Sequence, residues 1–137
     1  MTAEEKYDVI IIGSGPAGAT CGIKLREQGL SVLCIEKDDY PRFHIGESLT
    51  GNAGKLIREL GLEAAMAASD FPEKPGVNVI GTQSKNEFFV PILFPTWQVT
   101  RSKFDSLLKD KAIESGVVYK KAVVKQVILS AKRVVGV

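Results

Sequence analysis

The junction Gly13-Ser14-Gly15-Pro16-Ala17-Gly18 limits the fold more than any other stretch of this chain. It follows a short β-branched run, 7–12, that reads as a buried strand bounded by glycine. Beyond it, small and apolar residues fall at 18, 21, 22 and 25, one face of a helix that runs to Gln28. Gly29 ends that helix. Residues 30–35 form a second buried strand, closing a βαβ unit of about 30 residues. The second strand ends on Glu36, 18 positions beyond Gly18.

Each part of this unit has a physical job. Gly13 permits the tight turn out of the first strand. Gly15 has no Cβ, so the backbone there can approach a pyrophosphate, and Gly18 lets the helix pack close to the strand. The N–H groups and dipole of the helix N-terminus, with Ser14, Pro16 and Ala17 completing the loop, face the phosphates. Glu36 is placed to accept hydrogen bonds from ribose hydroxyls and to repel a 2′-phosphate, which disfavours NADP. The bland alternative is a glycine-rich turn with a solvated glutamate. Strand, helix, second strand and terminal acid together outweigh it. These residues alone do not separate FAD from NAD.

The remaining pattern completes an α/β fold. Residues 37–47 are a polar and aromatic loop. Leu49, Ala53, Leu56, Ile57 and Leu60 mark an amphipathic helix ended by Gly61. Residues 71–76 read as a Pro/Gly loop. Residues 77–80, 87–91 and 96–100 read as strands of an antiparallel sheet, with Pro91 and Pro95 at edges or turns. Ser102 and Asp105 have the spacing of a capping box, Ser102 as N-cap, on a helix that stops at Gly116. All three helices end in glycine followed by an apolar residue, the pattern of a Schellman stop. Residues 117–119 suit a third parallel strand, and 122–129 with 133–137 a hairpin. The expected organisation is 1–70 for the βαβ unit and following helices, 71–101 for the start of an antiparallel substrate-side sheet, and 102–137 for a return to the first domain.

Composition narrows the function classes. A chain of 137 residues, 45% apolar and 25% charged, is not collagen-like, disordered or coiled-coil. Eighteen basic against sixteen acidic residues give a net charge of +2, with no basic block to suggest nucleic acid or an anionic membrane. Apolar runs such as 9–12 fall far short of the roughly 20 residues of a membrane span. The acidic lead-in 1–8 does not read as a signal peptide. One histidine and two cysteines provide no metal-ligand cluster. Cys21 and Cys34 read as small core residues in a reducing, cytoplasmic setting. Trp97 and the Phe88-Phe89 pair suit a core or a substrate wall.

Gly13-x-Gly-Pro-Ala-Gly18 resembles the flavoprotein form of the dinucleotide motif. Residues 40–49, Tyr-Pro-Arg-Phe-His-Ile-Gly-Glu-Ser-Leu, resemble the loop after the acid in flavin-dependent halogenases of the phenol and pyrrole type. Trp97-Gln98-Val99-x-Arg101-x-x-Phe104-Asp105-x-Leu107-Leu108 resembles a segment these share with aromatic hydroxylases, and the tail from Val124 to Val137 fits the same group. The resemblance implies a Rossmann-like FAD-binding sheet of the hydroxylase and glutathione-reductase type. It implies FAD contacts by Arg42, Gln98 and Arg101, with Lys37 and Ser48 also at the cofactor and Val124 offering backbone to the adenine. Guanidinium forks suit phosphate and an amide suits sugar hydroxyls.

The same resemblance assigns chemistry to one lysine. In such halogenases, hypohalous acid is made at the flavin from oxygen and halide. A lysine in a Lys-Pro context then presents the oxidised halogen to the substrate carbon. Here 71–77, Phe-Pro-Glu-Lys-Pro-Gly-Val, matches, and Lys74 is the catalytic candidate; Glu73 beside it reads as solvated. His44 suits a loop contact or packing beside the flavin better than a general base. The implied partners are a small-molecule or carrier-tethered substrate, a halide and a separate flavin reductase. The Trp-x-Trp-x-x-Pro segment of halogenases and the second flavin motif, Gly-Asp, do not occur in these residues. The chain is therefore expected to be the N-terminal portion of a longer enzyme. The rival readings are a flavin-dependent monooxygenase or hydroxylase, a geranylgeranyl reductase-like oxidoreductase, and a non-enzymatic cofactor-binding fragment.

Overall fold

The computed structural model describes residues 4–82 and 87–137, so the first three residues of the 1–8 lead-in lie outside it. Its contacts divide the chain into two compact units, Met1–Arg42 with Asp105–Val137, and Phe43–Phe104.

In the first unit, β1 (Val9–Ile12), β2 (Val32–Glu36) and β5 (Val118–Lys121) form a parallel sheet with β2 in the centre. Val9 pairs with Val32 and Ile12 with Ile35 on one side of β2. On its other side, Leu33 pairs with Val118 and Glu36 with Lys121. A central parallel strand is covered on both faces, which is why Val-Leu-Cys-Ile runs without alternation and is buried throughout. Each of its larger aliphatic side chains contributes about 1.5–3 kcal/mol through burial. The helix α1 (Pro16–Glu27) packs through its small face, since a Cβ on Gly22 would sit 3.0 Å from a Val117 methyl.

Its stop follows the expected geometry. Gly29 has φ +79°, its N–H donates to the Arg26 carbonyl, and the Leu30 N–H donates to the Leu25 carbonyl. Gly61 and Gly116 repeat both bonds at their own helices. The expected hairpin is present but shorter, as β6 (Ile128–Ser130) and β7 (Arg133–Gly136). Its two-residue turn puts both Ala131 and Lys132 at positive φ, the type I′ arrangement, without the Asn-Gly signal usual for it.

In the second unit, α2 (Gly51–Glu59) is capped by the Thr50 hydroxyl, which accepts from the Ala53 N–H at 3.3 Å. A further short helix, α3 (Glu63–Ala68), follows where the sequence carried no helix signal strong enough to read. The ribbon of β3 (Glu73–Ile80) and β4 (Glu87–Trp97) refines the local expectations. Residues 73–76 are strand rather than loop. Pro91 and Pro95 lie inside β4 on an edge strand, as expected, because a two-stranded ribbon leaves one edge of each strand without a ladder to break. Of the two alternatives for Phe88 and Phe89, core and substrate wall, their exposure removes the first, whereas Trp97 is buried. Likewise, Cys34 is buried but Cys21 is exposed on α1. The helix α4 (Arg101–Glu114) begins one residue before Ser102, so Ser102 lies in the first turn instead of capping it, and Asp105 is buried.

Gly54 is where α2 meets β4. A Cβ there would lie 2.6 Å from the Pro95 carbonyl oxygen and 3.0 Å from the Thr96 hydroxyl. Gly54→Ala is expected to destabilise the protein by about 1–3 kcal/mol. Gly136→Ala, whose Cβ would meet only Ile128 at ordinary distance, should change stability by less than about 0.5 kcal/mol. Urea denaturation of the two variants beside the parent checks this.

Candidate functional site

The glycine junction is built as its sequence demands. The Gly13 N–H donates to the Ile35 carbonyl at 2.8 Å, extending the ladder by one bond, and Gly13 then turns through φ +92°. Gly15 is the N-cap of α1 and carries no side chain to occupy the helix N-terminus. Pro16 follows at the first helical position, where a missing N–H costs nothing. A Cβ on Gly18 would overlap the Gly13 carbonyl oxygen, so only glycine allows this approach of helix to strand. No acidic residue sits in the first turn of α1.

Glu36 binds this junction to the loop that follows β2. Oε2 accepts from the Ser14 N–H at 2.8 Å and the Ser14 hydroxyl at 3.1 Å. Oε1 accepts from the Lys37 N–H at 2.8 Å and the Asp38 N–H at 3.1 Å. The Arg42 guanidinium completes the set, with Nη1 3.0 Å from Oε1. Burial works to raise the Glu36 pKa. The backbone N–H groups of Ser14 and Asp38, the charge of Arg42 and the Ser14 hydroxyl outweigh it and hold the carboxyl down at about 2. Lys37 contributes its backbone here, and its side chain is exposed.

Arg42 lies across the glycine junction. Its Nη2 is 3.4 Å from where a Gly15 Cβ would be, and its Nε is buried without a hydrogen-bond partner. An orphaned guanidinium donor beside an uncapped helix N-terminus and a bare Gly15 fits a diphosphate group. Tyr40 belongs to the same cluster, and sequence reasoning did not single it out. Its hydroxyl donates to the Ser14 carbonyl at 2.6 Å and lies 2.8 Å from the Ser14 hydroxyl. Its ring stacks under Arg42 at 4.9 Å and beneath the Lys109 ammonium at 4.6 Å. Its place in the quoted loop, two positions before Arg42, was the available signal. Val124 is half-buried past β5, beside a hollow of about 300 Å³ that Ile35, Ala122 and Val137 also line. The Cys34 thiol, 3.8 Å from the Gly13 carbonyl, is pushed up to about 11 by burial and is a packing group.

The second unit gathers the other candidates. Main-chain bonds lace three segments together: Leu49 N–H to the Trp97 carbonyl at 3.2 Å, Val99 N–H to the Glu47 carbonyl at 2.7 Å, and Gln98 N–H to the Pro72 carbonyl at 2.9 Å. Ser48 therefore stands opposite Gln98 as an isolated bridge. Lys74 pairs with Thr96 in β3, and its Nζ donates to the Ser48 hydroxyl at 2.7 Å and the Leu49 carbonyl at 3.0 Å. Arg101 is the first residue of α4 rather than the residue before the helix. Its Nη1 donates to the Ile45 carbonyl at 2.5 Å and lies against Gly46, whose φ is +103°. His44 and Glu73 are exposed. Within this unit, then, Lys74, Ser48 and Gln98 come together, with the Arg101 side chain bonded to the loop that leads to Ser48. The glycine junction, Glu36, Lys37, Arg42 and Val124 belong to the other unit.

Residues 6–134 match the FAD binding domain family. The chain is 66% identical over 136 residues, 99% of its length, to the 1H-pyrrole-2-carbonyl peptidyl-carrier protein brominase of Pseudoalteromonas luteoviolacea (strain 2ta16). It is 36% identical over 115 residues, 80% of its length, to the flavin-dependent halogenase armH3 of Armillaria mellea. The solved structure of the flavin-dependent brominase Bmp2 superimposes with a TM-score of 0.91 at 66% identity, covering 93% of this chain and 32% of that one. The chain spans 34% of the length of the first relative and 23% of the second.

The depressed carboxyl of Glu36 gives a pH test. Its folded pKa of about 2 lies below the ordinary value of 4.5, so the stability it contributes is complete above pH 4.5 and is lost as pH falls toward 2. Glu36→Gln should lower stability at neutral pH and flatten its fall between pH 4.5 and 2. Urea midpoints measured across that range for parent and variant check both effects.

Proposed function

The chain belongs to the FAD binding domain family, and from that premise we propose that it is the FAD-binding portion of a flavin-dependent halogenase. The observation that carries this reading is the 66% identity, over nearly the whole chain, to a protein named as a brominase. The residues around the glycine junction and around Lys74 suit that role. Arg42 and the N-terminus of α1 would hold the diphosphate of FAD, and Glu36 the adenosine ribose. Ser14 and Lys37 act through their contacts with Glu36. Gln98 and Arg101 would serve the flavin half and Val124 the adenine, whereas the Ser48 hydroxyl, expected at the cofactor, meets Lys74 Nζ.

When bound and reduced, FAD would supply two electrons and two protons that, with oxygen, a halide and one further proton, yield hypohalous acid, water and oxidised flavin. Lys74 holds or captures the oxidised halogen through Nζ and presents it to the substrate carbon. The substrate we propose is an aromatic or otherwise activated carbon, with a carrier-tethered pyrrole first, because that is the substrate in the name of the 66% identical relative. Bromide is the first halide for the same reason. A separate flavin reductase delivers the reduced cofactor, and the cytoplasm is the proposed location. Among the described residues no helix is long and apolar enough to cross a membrane.

Two substitutions in the full-length protein test the reading. Gly15→Val adds its Cβ at ordinary contact distance from Arg42, so the fold should tolerate it while the diphosphate is blocked. It should purify soluble but without FAD; a yellow variant with stoichiometric FAD overturns the cofactor assignment. Lys74→Ala should bind FAD and consume oxygen like the parent yet yield no halogenated product. Product mass with and without bromide reads this directly. A hydroxylated product from the parent, independent of halide, overturns halogenation.

A further inference from the structure

We infer that Ser48 is a positioning residue for Lys74, an inference that rests on the proposed role of Lys74. A lysine nitrogen has three positions besides its bond to Cε, filled by three N–H groups when charged, or by two N–H groups and a lone pair when neutral. Two of these are engaged here, one by the Ser48 hydroxyl at 2.7 Å and one by the Leu49 carbonyl at 3.0 Å. The third is left with a single direction. The Leu49 carbonyl can only accept, so it always draws an N–H, and the Ser48 hydroxyl then sets the rotation about Cε–Nζ.

Both acceptors are themselves fixed. The Leu49 N–H donates to the Trp97 carbonyl, Ser48 faces Gln98 across a bridge, and Thr50, one residue on, caps α2. Trp97 and Val99, whose main chain receives this segment, are buried, as is Thr96 opposite Lys74. The lysine is therefore held at its backbone by the β3–β4 ladder and at its tip by a second segment anchored to the same core. A lysine free at its tip samples many directions, and a reacting group gains most of its advantage from being held in one. The consequence falls on the transfer of halogen to substrate and not on flavin binding or oxygen use.

The experiment compares Lys74→Ala, Ser48→Ala and Ser48→Thr in the full-length protein, with reduced FAD, oxygen, bromide and a substrate the parent brominates. Three quantities are measured: FAD content, oxygen consumed, and brominated substrate formed per oxygen. Ser48→Ala should keep FAD content and oxygen use within about twofold of the parent. Its brominated product per oxygen should fall by about tenfold to a hundredfold, the scale of one hydrogen bond to a charged group. The lost oxidant should appear in an added diffusible bromine acceptor. Ser48→Thr keeps the hydroxyl and should restore the ratio to within about threefold of the parent. Parent-like coupling in Ser48→Ala overturns the inference, as does a Ser48→Thr no better coupled than Ser48→Ala. Loss of FAD from Ser48→Ala also overturns it and makes Ser48 a flavin contact. Parent-like coupling in Lys74→Ala overturns the lysine's own role. If Lys74→Ala is inactive while Ser48→Ala is normal, only the role of Ser48 falls.

Discussion

A carboxylate that stays charged in the interior organises the nucleotide end of this protein. Glu36 ends the central strand and is only 6% exposed, yet its two oxygens are met by groups from three places: Ser14 of the glycine junction, the turn at Lys37 and Asp38, and Arg42 further along the loop. Burying a carboxylate without such partners is prohibitive, and breaking a buried pair by removing one member costs about 3–5 kcal/mol. The junction and the loop are thus required to close on Glu36 together. Arg42 is drawn over Gly15 by the same interaction, which sets a guanidinium beside a helix N-terminus before any anion arrives.

The glycines make that closure sterically possible. Gly18 brings α1 against the turn at Gly13, and Gly22 brings it against Val117. The three glycine stops then end α1, α2 and α4 with two hydrogen bonds at each C-terminus, so the segments that follow them leave in a defined direction. In the second unit the organising device is different. Extended main chain at 47–49 and at Pro72 bonds to the end of β4, and side chains that are far apart in sequence, Ser48 and Lys74, meet because their backbones are laced to the same stretch.

Correspondingly, the two groups of functional side chains have different origins. Those around the glycine junction are held by local geometry and one buried charge. Those around Lys74 are held by non-local pairing, with Gln98 as the residue on which the three segments converge.

By itself, the sequence determined the βαβ unit, the third parallel strand, the glycine stops, the dinucleotide-type junction and the position of Glu36, because each depends on residues within a few positions or on strict periodicity. Residues 32–35 are apolar without a break since both faces of their strand are covered, Gly13, Gly29, Gly61 and Gly116 occur where φ is positive, and Gly18 where a Cβ would collide. What only the tertiary structure decided was the company each side chain keeps. Cys21 faces out although its helix position looked internal, Phe88 and Phe89 are exposed on a two-stranded ribbon, and Pro91 and Pro95 sit within a strand because that ribbon has free edges. Tyr40 joins Ser14 from 26 positions away, and Lys74 finds Ser48 from the same separation. Local pattern reports the backbone a residue prefers; a contact across that separation exists only once strands and loops have been registered against one another.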